Sequence, residues 1–369
     1  MSNAQSNAGS QSTDPSLPAP ELVEQLIRQG EAAGASDIHL QMRGPVAEVG
    51  FRLDGVITPA VTLPEDIADR VFGRIKYLAR LKTYQDSLPQ DGRINKQDVK
   101  SASDIRVATY PTVTGEKIVL RLFQTGGIKT VSQLEFPPDV REHLERFLSQ
   151  SSGLLLLTGP AGSGKTTTIY ACLHALAAGG NRHIITVEDP VEQIVPGVMQ
   201  TEVNEAGGLS FAVASRHLLR QDPQVLVIGE IRDEETAGIV VRASLTGHLV
   251  ISTIHAGSCS GVLERLTILC QDISAVASSL QLTLNQRLVR RFCADCQGKG
   301  CGLCLHTGFR GRLPIVEFLP ITPAIRRRVE SHEFEGIHAQ VSLRERASAL
   351  VKAGLTNESE IIRVLGKEN

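Results

Sequence analysis

The sequence predicts an α/β protein with a small α+β domain first and a larger domain built on a parallel sheet after it. Three observations predict this. Gly159-Pro160-Ala161-Gly162-Ser163-Gly164-Lys165-Thr166 fits the pattern G-x-x-x-x-G-K-[ST] at each fixed position. Leu154 to Leu157 reads as a buried strand leading into it, and Lys165 to Ala178 as a helix leading out, closed by Gly179-Gly180. Beyond that point apolar runs alternate with helical stretches, the signature of a parallel sheet.

Composition narrows the field. A chain of 369 residues is long enough for about two or three domains with full cores. A formal net charge of -2 argues against a bulk affinity for nucleic acid. The basic runs Arg287, Arg290, Arg291 and Arg326, Arg327, Arg328 read as solvated helix ends. No apolar run approaches the ~18 residues of a membrane span, and no signal-type segment opens the chain. The expected place is the cytosol or the cytosolic face of a membrane, where seven cysteines point to thiols or metal rather than disulfides.

In chain order, residues 1 to 19 are rich in Ser, Asn, Gln, Ala and Pro and read as a disordered tail. A helix follows from Pro20, with Leu22, Val23, Leu26 and Ile27 on one face. Asp37 to Met42 and Ala47 to Phe51 alternate as strands around the turn Arg43-Gly44-Pro45, and Asp54-Gly55 marks another turn. Pro64 opens an amphipathic helix, and strands return at Asp104 to Tyr110 and Lys117 to Phe123. Residues 20–124 thus form the α+β domain, 125–136 a linker, and 137–369 the second domain, which begins with a helix carrying Val140, Leu144, Phe147 and Leu148.

The last two strands of the first domain specify a register. Pairing Ile105 with Leu122 and Val107 with Leu120 puts the apolar residues on one face and sets Arg106 against Arg121 on the other. Like charges face to face ask for an anion between them, a phosphate, with acidic side chains or water satisfying both arginines as the alternative.

The glycine-rich segment suits a nucleoside triphosphate. Backbone N–H groups of Gly159, Gly162, Ser163 and Gly164 cradle phosphate, Lys165 reaches the outer phosphates, and Thr166 offers a hydroxyl to Mg²⁺ with Thr167 beside it. Three later strands end on polar residues at the edge where ligands bind in such sheets: one on Glu188-Asp189, one on Gly229-Glu230, one on His255. Phosphoryl transfer needs a carboxylate to orient water and cations around the transition state. Glu230 is the first choice for that carboxylate and Glu188 the competitor; Asp189 suits Mg²⁺ through water, and His255 the γ-phosphate.

Cys293-x-x-Cys296 and Cys301-x-x-Cys304 suit a tetrahedral structural Zn²⁺, with a redox pair or idle thiols as the alternatives. Cys172, Cys259 and Cys270 read as core thiols.

Taken together, these stretches resemble the secretion ATPases of type II secretion and type IV pilus assembly. The resemblance runs from about Glu21 to the C-terminus. It includes Ala35-Ser36-Asp37-Ile38-His39-Leu40, Pro89-Gln90-Asp91-Gly92-Arg93-Ile94 and Gly115 to Arg121. It continues through Thr186 to Glu192, Gly229-Glu230-Ile231-Arg232-Asp233 and Thr246-Gly247-His248 through His255. The resemblance implies a RecA-like P-loop ATPase domain and a homo-hexameric ring that hydrolyses ATP with Mg²⁺. It implies work at the cytosolic face of the inner membrane, on platform proteins of a secretion or pilus machine. It implies that Arg93, Arg106 and Arg121 swing toward nucleotide and that His248 belongs to the nucleotide site. The tetracysteine element resembles that of assembly rather than retraction ATPases, although this family places a longer loop between its cysteine pairs. Two departures stand out: Ala256-Gly257-Ser258 follows His255 where the family prefers Thr-Asn-Asp, and about 20 residues precede the first domain where larger members carry another docking domain.

Overall fold

The computed structural model describes residues 17–122 and 127–367. The tail reading of residues 1–16 and the linker residues Thr125 and Gly126 lie outside the described residues. The chain divides into two compact units: one reaches to Gly127 and also takes Arg290–Arg312, and the other takes Ile128–Val289 and the chain from Leu313. The tetracysteine segment therefore groups with the first unit, although its place in the sequence assigned it to the second domain.

The first unit runs α1 (Ala19–Ala32), β1 (Asp37–Met42), β2 (Val46–Leu53), β3 (Val56–Pro64), α2 (Glu65–Leu78), β4 (Gln90–Ile94), α3 (Lys96–Val99), β5 (Ile105–Thr112) and β6 (Gly115–Leu122). Its sheet has the order β3-β2-β1-β6-β5-β4, every pair antiparallel. Leu22, Leu26, Val71 and Ile75 of the two longer helices close over Ile38, Leu40, Ile105, Val107, Ile118 and Leu120. The alternation that hides these residues necessarily turns Asp37, Arg106 and Arg121 to the other face. The observed register is Ile105 to Leu122, Arg106 to Arg121 and Val107 to Leu120, as the apolar pattern required.

The second unit starts with α4 (Pro138–Leu148) and β7 (Gly153–Thr158), then α5 (Lys165–Ala178), β8 (Ile184–Glu188), β9 (Val198–Glu202), α6 (Phe211–Leu218) and β10 (Val225–Ile231). It continues with α7 (Glu234–Leu245), β11 (Leu249–Ile254), α8 (Cys259–Leu269), α9 (Ile273–Ser279), β12 (Leu280–Phe292) and β13 (Phe309–Pro320). Three helices close it: α10 (Pro323–Glu330), α11 (Leu343–Lys352) and α12 (Glu358–Leu365). The sheet order is β13-β12-β7-β11-β10-β8-β9, and the five pairs from β12 to β9 are all parallel. Strand β7 is buried along its whole length: Leu154 and Leu156 face the core under α6 to α9, and Leu155 and Leu157 the core under α4 and α5. A strand covered on both faces reads as a continuous apolar run, which is what Leu154 to Leu157 supplies.

Arg287, Arg290 and Arg291 lie on strand β12 rather than at a helix end, which corrects their reading from the sequence; Arg327 and Arg328 do occupy the last turn of α10. No helix among the described residues is long and apolar enough to cross a membrane.

Candidate active site and metal centre

The loop between β7 and α5 turns back on itself through three residues of positive φ: Gly159 (139°), Gly162 (73°) and Gly164 (92°). Two of these positions are also too close to β12 for a side chain. A Cβ on Gly159 would lie 2.4 Å from the Gln286 carbonyl oxygen, and one on Gly164 would lie 2.6 Å from Gln286 Nε2. Gln286 Oε1 accepts from Thr168 Oγ1 at 2.9 Å, so this strand holds the loop and the first turn of α5 together.

No side chain caps the N-terminus of α5, which leaves the first-turn N–H groups, with Thr166 and Thr167 exposed beside them, for an anion. Ser163 is buried, and its Oγ has no hydrogen-bond partner. Lys165 Nζ donates to the carbonyls of Gly159 (2.7 Å) and Pro160 (3.0 Å). Burial lowers its pKa, the charge of Glu230 opposes that shift, and Arg287 adds to it. An unpaired buried hydroxyl, uncapped amides and a cation with only carbonyl partners fit a phosphate chain.

Glu230 stands at a break in the sheet. The register between β10 and β11 shifts between Ile228 and Ile231, and a bulge of this kind re-aims a side chain. Ser252 Oγ and Thr253 Oγ1 of β11 fasten the bulge by donating to the carbonyls of Ile228 (2.6 Å) and Gly229 (2.8 Å). The Glu230 carboxylate lies 2.7 Å from His255 Nε2 and 2.8 Å from Arg232 Nε, and Arg232 reaches 4.0 Å from Asp189. Glu230, His255, Asp189 and Lys165 are thus brought to one edge. Asp233 is used otherwise: it caps α7 by accepting from Thr236 N at 2.8 Å.

Glu188 has a different environment. It is buried, and its oxygens accept from the Tyr170 hydroxyl, from Thr186 Oγ1 at 2.5 Å and from Gln200 Nε2 at 3.0 Å. Tyr170 in turn accepts from the backbone N–H of Glu192 (3.0 Å) and Gln193 (3.2 Å). Burial, reinforced by its bond to Glu188, pushes the phenol's pKa upward. The carboxylate therefore ties α5, β8, β9 and the loop after β8 into one network.

His248 is not brought to this edge. It precedes β11 whereas His255 follows it, and six residues of strand span roughly 20 Å. Its Nδ1 bonds the Ala243 carbonyl at 2.9 Å near the end of α7. Within one subunit it lies at the opposite edge of the sheet from Lys165, which corrects its inclusion in the nucleotide site.

In the first unit, cross-strand pairing builds a row on the outer face: Arg93, Arg106, Arg121, Asp37, Arg52. Asp37 is buried between two guanidiniums, accepting from Arg121 Nε at 3.1 Å and lying 3.3 Å from Arg52 Nε. Arg93 is held by Asp104 at 2.6 Å. The arginine pair does have an acidic neighbour, then, but it comes from β1 and not from the two strands of the hairpin.

Comparison with known proteins adds a second line. The family model described as type II/IV secretion system protein matches residues 12–363. The chain belongs to this secretion family. HxcR, a type II secretion system protein of Pseudomonas aeruginosa, is 40% identical over 369 residues, covering 95% of this chain and 78% of that protein. The type IV pilus assembly ATPase PilB of Thermus thermophilus is 35% identical over 93% of this chain and 42% of its own length. Among solved structures, the pilus retraction motor PilT with bound ADP is 27% identical, with a TM-score of 0.67 over 94% of this chain and 97% of that one. Family and neighbours alike are ATPases of secretion and pilus machines.

The cysteine element of this secretion-family chain has the geometry of a metal site. The four Sγ atoms of Cys293, Cys296, Cys301 and Cys304 all lie within 4.8 Å of one another. Three separations are 3.9 Å (Cys293–Cys301), 3.8 Å (Cys296–Cys304) and 3.8 Å (Cys301–Cys304). A tetrahedron with ~2.3 Å bonds to its centre has edges of about 3.8 Å, so the sulfurs stand where zinc thiolates stand. Two backbone N–H groups point at sulfur, Gly300 N at Cys296 and Cys301 N at Cys304, each at 3.2 Å. Burial opposes ionisation of Cys304, yet such N–H donors bring its pKa down to about 7. The element is seated on the first unit by Leu305, which packs against that core, and by Asp54, which accepts from Gly311 N at 2.7 Å. By contrast, burial pushes the Cys172 and Cys259 thiols up to about 12, as suits core residues.

Four residues of the secretion-family site went unmarked in the sequence. Arg232 had a signal, since it lies two residues after Glu230 on a strand and so shares its face. Tyr170 and Gln286 had none, because their partners lie 18 and 118 residues away; Arg287 had none because only the pairing of β12 with β7 sets it beside the loop.

Proposed function

We propose that the chain is the ATP-hydrolysing motor of a type II secretion or type IV pilus assembly machine, working as a homo-hexamer on platform proteins at the cytosolic face of the inner membrane. The observation that carries the hydrolytic reading is Glu230, aimed by a bulge to the same edge as Lys165 and fixed between His255 and Arg232. In this reading the amides of Gly159, Gly162, Ser163, Gly164 and Lys165 hold the phosphates, and Lys165 exchanges its carbonyl partners for them. Thr166 and Asp189 would hold Mg²⁺, which supplies neutralisation of phosphate charge. Glu230 orients the attacking water and takes its proton, while His255 and Arg232 fix the carboxylate. Glu188 organises the loop beside the site rather than meeting water. Arg93, Arg106 and Arg121 supply cations to the transition state, from the same or the adjacent subunit.

The motor reading is tested in the native cell. A strain lacking the chain should regain its pili or secreted protein when the unmodified chain is restored, but not with Lys165→Ala at equal abundance. Full recovery with Lys165→Ala would make the chain a scaffold.

For the cysteine element we propose one structural Zn²⁺ per chain. Elemental analysis of reduced, chelator-free protein should give close to one zinc. Cys293→Ser or Cys304→Ser should release it and lower the melting temperature, by about 2–4 °C for each kcal/mol lost in a domain of 150–250 residues. Protein that carries no metal under those conditions would refute it.

A further inference from the structure

We propose that Arg287 is a phosphate-contacting residue that recognises the outermost phosphate of ATP at the P-loop of its own subunit. The inference rests on the reading of that loop as the nucleotide site. Strand β12 runs parallel to β7 with Asn285 level with Thr158, which carries Gln286 and Arg287 alongside the start of the loop. A Cβ on Gly159 would come within 3.1 Å of Arg287 Nη1, so the guanidinium lies over the loop's first glycine.

One edge of that guanidinium is anchored. Nη1 donates to Asn285 Oδ1 at 2.6 Å and to the Gln286 carbonyl at 3.0 Å. Asn285 is itself buried, and its Nδ2 donates to Glu317 at 2.8 Å and to the Gly257 carbonyl at 3.1 Å. Glu317 also accepts from Cys259 N at 3.2 Å, so the anchor reaches the first residue of α8. The other edge is open. Nε and Nη2 of Arg287 have no hydrogen-bond partner among the described residues, and they are not closed off from solvent.

The charge pattern asks for an anion at that edge. Lys165 and Arg287 are near enough that the arginine's charge acts on the lysine, and neither has a carboxylate in direct contact. A planar fork held along one side and open along the other suits two oxygens of a phosphate. Lysine at this loop position reaches the outer phosphates, and a guanidinium beside it over the first glycine meets the same end of the chain. The residue would then separate ATP from ADP, a distinction the loop amides alone do not make.

The test uses the full chain and two nucleotides, ADP and the non-hydrolysable AMP-PNP, in competition with a fluorescent nucleotide. Arg287→Gln keeps a donor for Asn285 and removes the charge. It should weaken AMP-PNP at least tenfold and ADP less than threefold. Arg287→Lys, the milder change, should reduce the AMP-PNP to ADP preference at least threefold. A purely structural arginine would lower the melting temperature and leave that preference unchanged, which would overturn the proposal, as would equal losses for both nucleotides. The parent reading is separable: if the unmodified chain binds and Lys165→Ala does not, while Arg287→Gln keeps the preference, only the role of Arg287 falls. If the unmodified chain binds neither nucleotide, both fall.

Discussion

Glu230→Gln protein is expected to bind ATP as tightly as the unmodified chain and to hydrolyse it at least about 100-fold more slowly, the range over which a positioned general base acts. Glutamine keeps the size of the side chain and an oxygen for Arg232 at 2.8 Å, so the ground state changes little. What it loses is the capacity to take a proton as water attacks, which matters only in the transition state. Lys165→Ala should show the complementary defect, loss of tight binding, because the ammonium contacts phosphate before any chemistry. Glu188→Gln should act through stability. Its oxygens accept from Tyr170, Thr186 and Gln200, and an amide NH₂ in that position would face donors with a donor. A dead Glu188→Gln beside a fully active Glu230→Gln would reverse the assignment.

Arg121→Ala is expected to lower turnover in the assembled ring on the order of 10³-fold, the scale of an arginine supplied to a phosphoryl-transfer transition state. Its cost in stability should be small. The Arg121 side chain is 66% exposed, and exposed pairs are worth about 0–1 kcal/mol. Asp37 would keep Arg52 at 3.3 Å and the Ser36 hydroxyl at 2.8 Å, so its buried charge is not stranded. Denaturant unfolding alongside phosphate release separates the two effects. Wild-type rates for both Arg106→Ala and Arg121→Ala would leave the row as a solvated surface feature.

What could be read from the sequence follows from how local each signal is. The P-loop needs particular residue types at fixed spacing, and strand β7, covered on both faces, shows as four consecutive leucines. The β5–β6 hairpin fixes its own register through alternation, so the facing of Arg106 and Arg121 is legible in the sequence. Strand β3 was not, because Pro59 and Pro64 and a mostly exposed pattern mask it. Nor was β12, whose Gln286-Arg287-Leu288-Val289-Arg290-Arg291 gives no clean period 2. Charge partners were the least legible. Asp37 lies 84 residues from Arg121, and only the placement of β1 beside β6 joins them. The two histidines show the converse. His248 and His255 share one sequence box, yet β11 between them puts them at opposite edges of the sheet.

In the reading proposed above, Glu230 and the P-loop together make an ATPase. Steady-state phosphate release from Mg-ATP, measured for the unmodified chain beside Glu230→Gln at a concentration where both form rings, tests it most directly. The unmodified chain should release phosphate steadily and the variant at a rate at least about 100-fold lower, with nucleotide still bound. Equal rates, or no release by either protein, would contradict it.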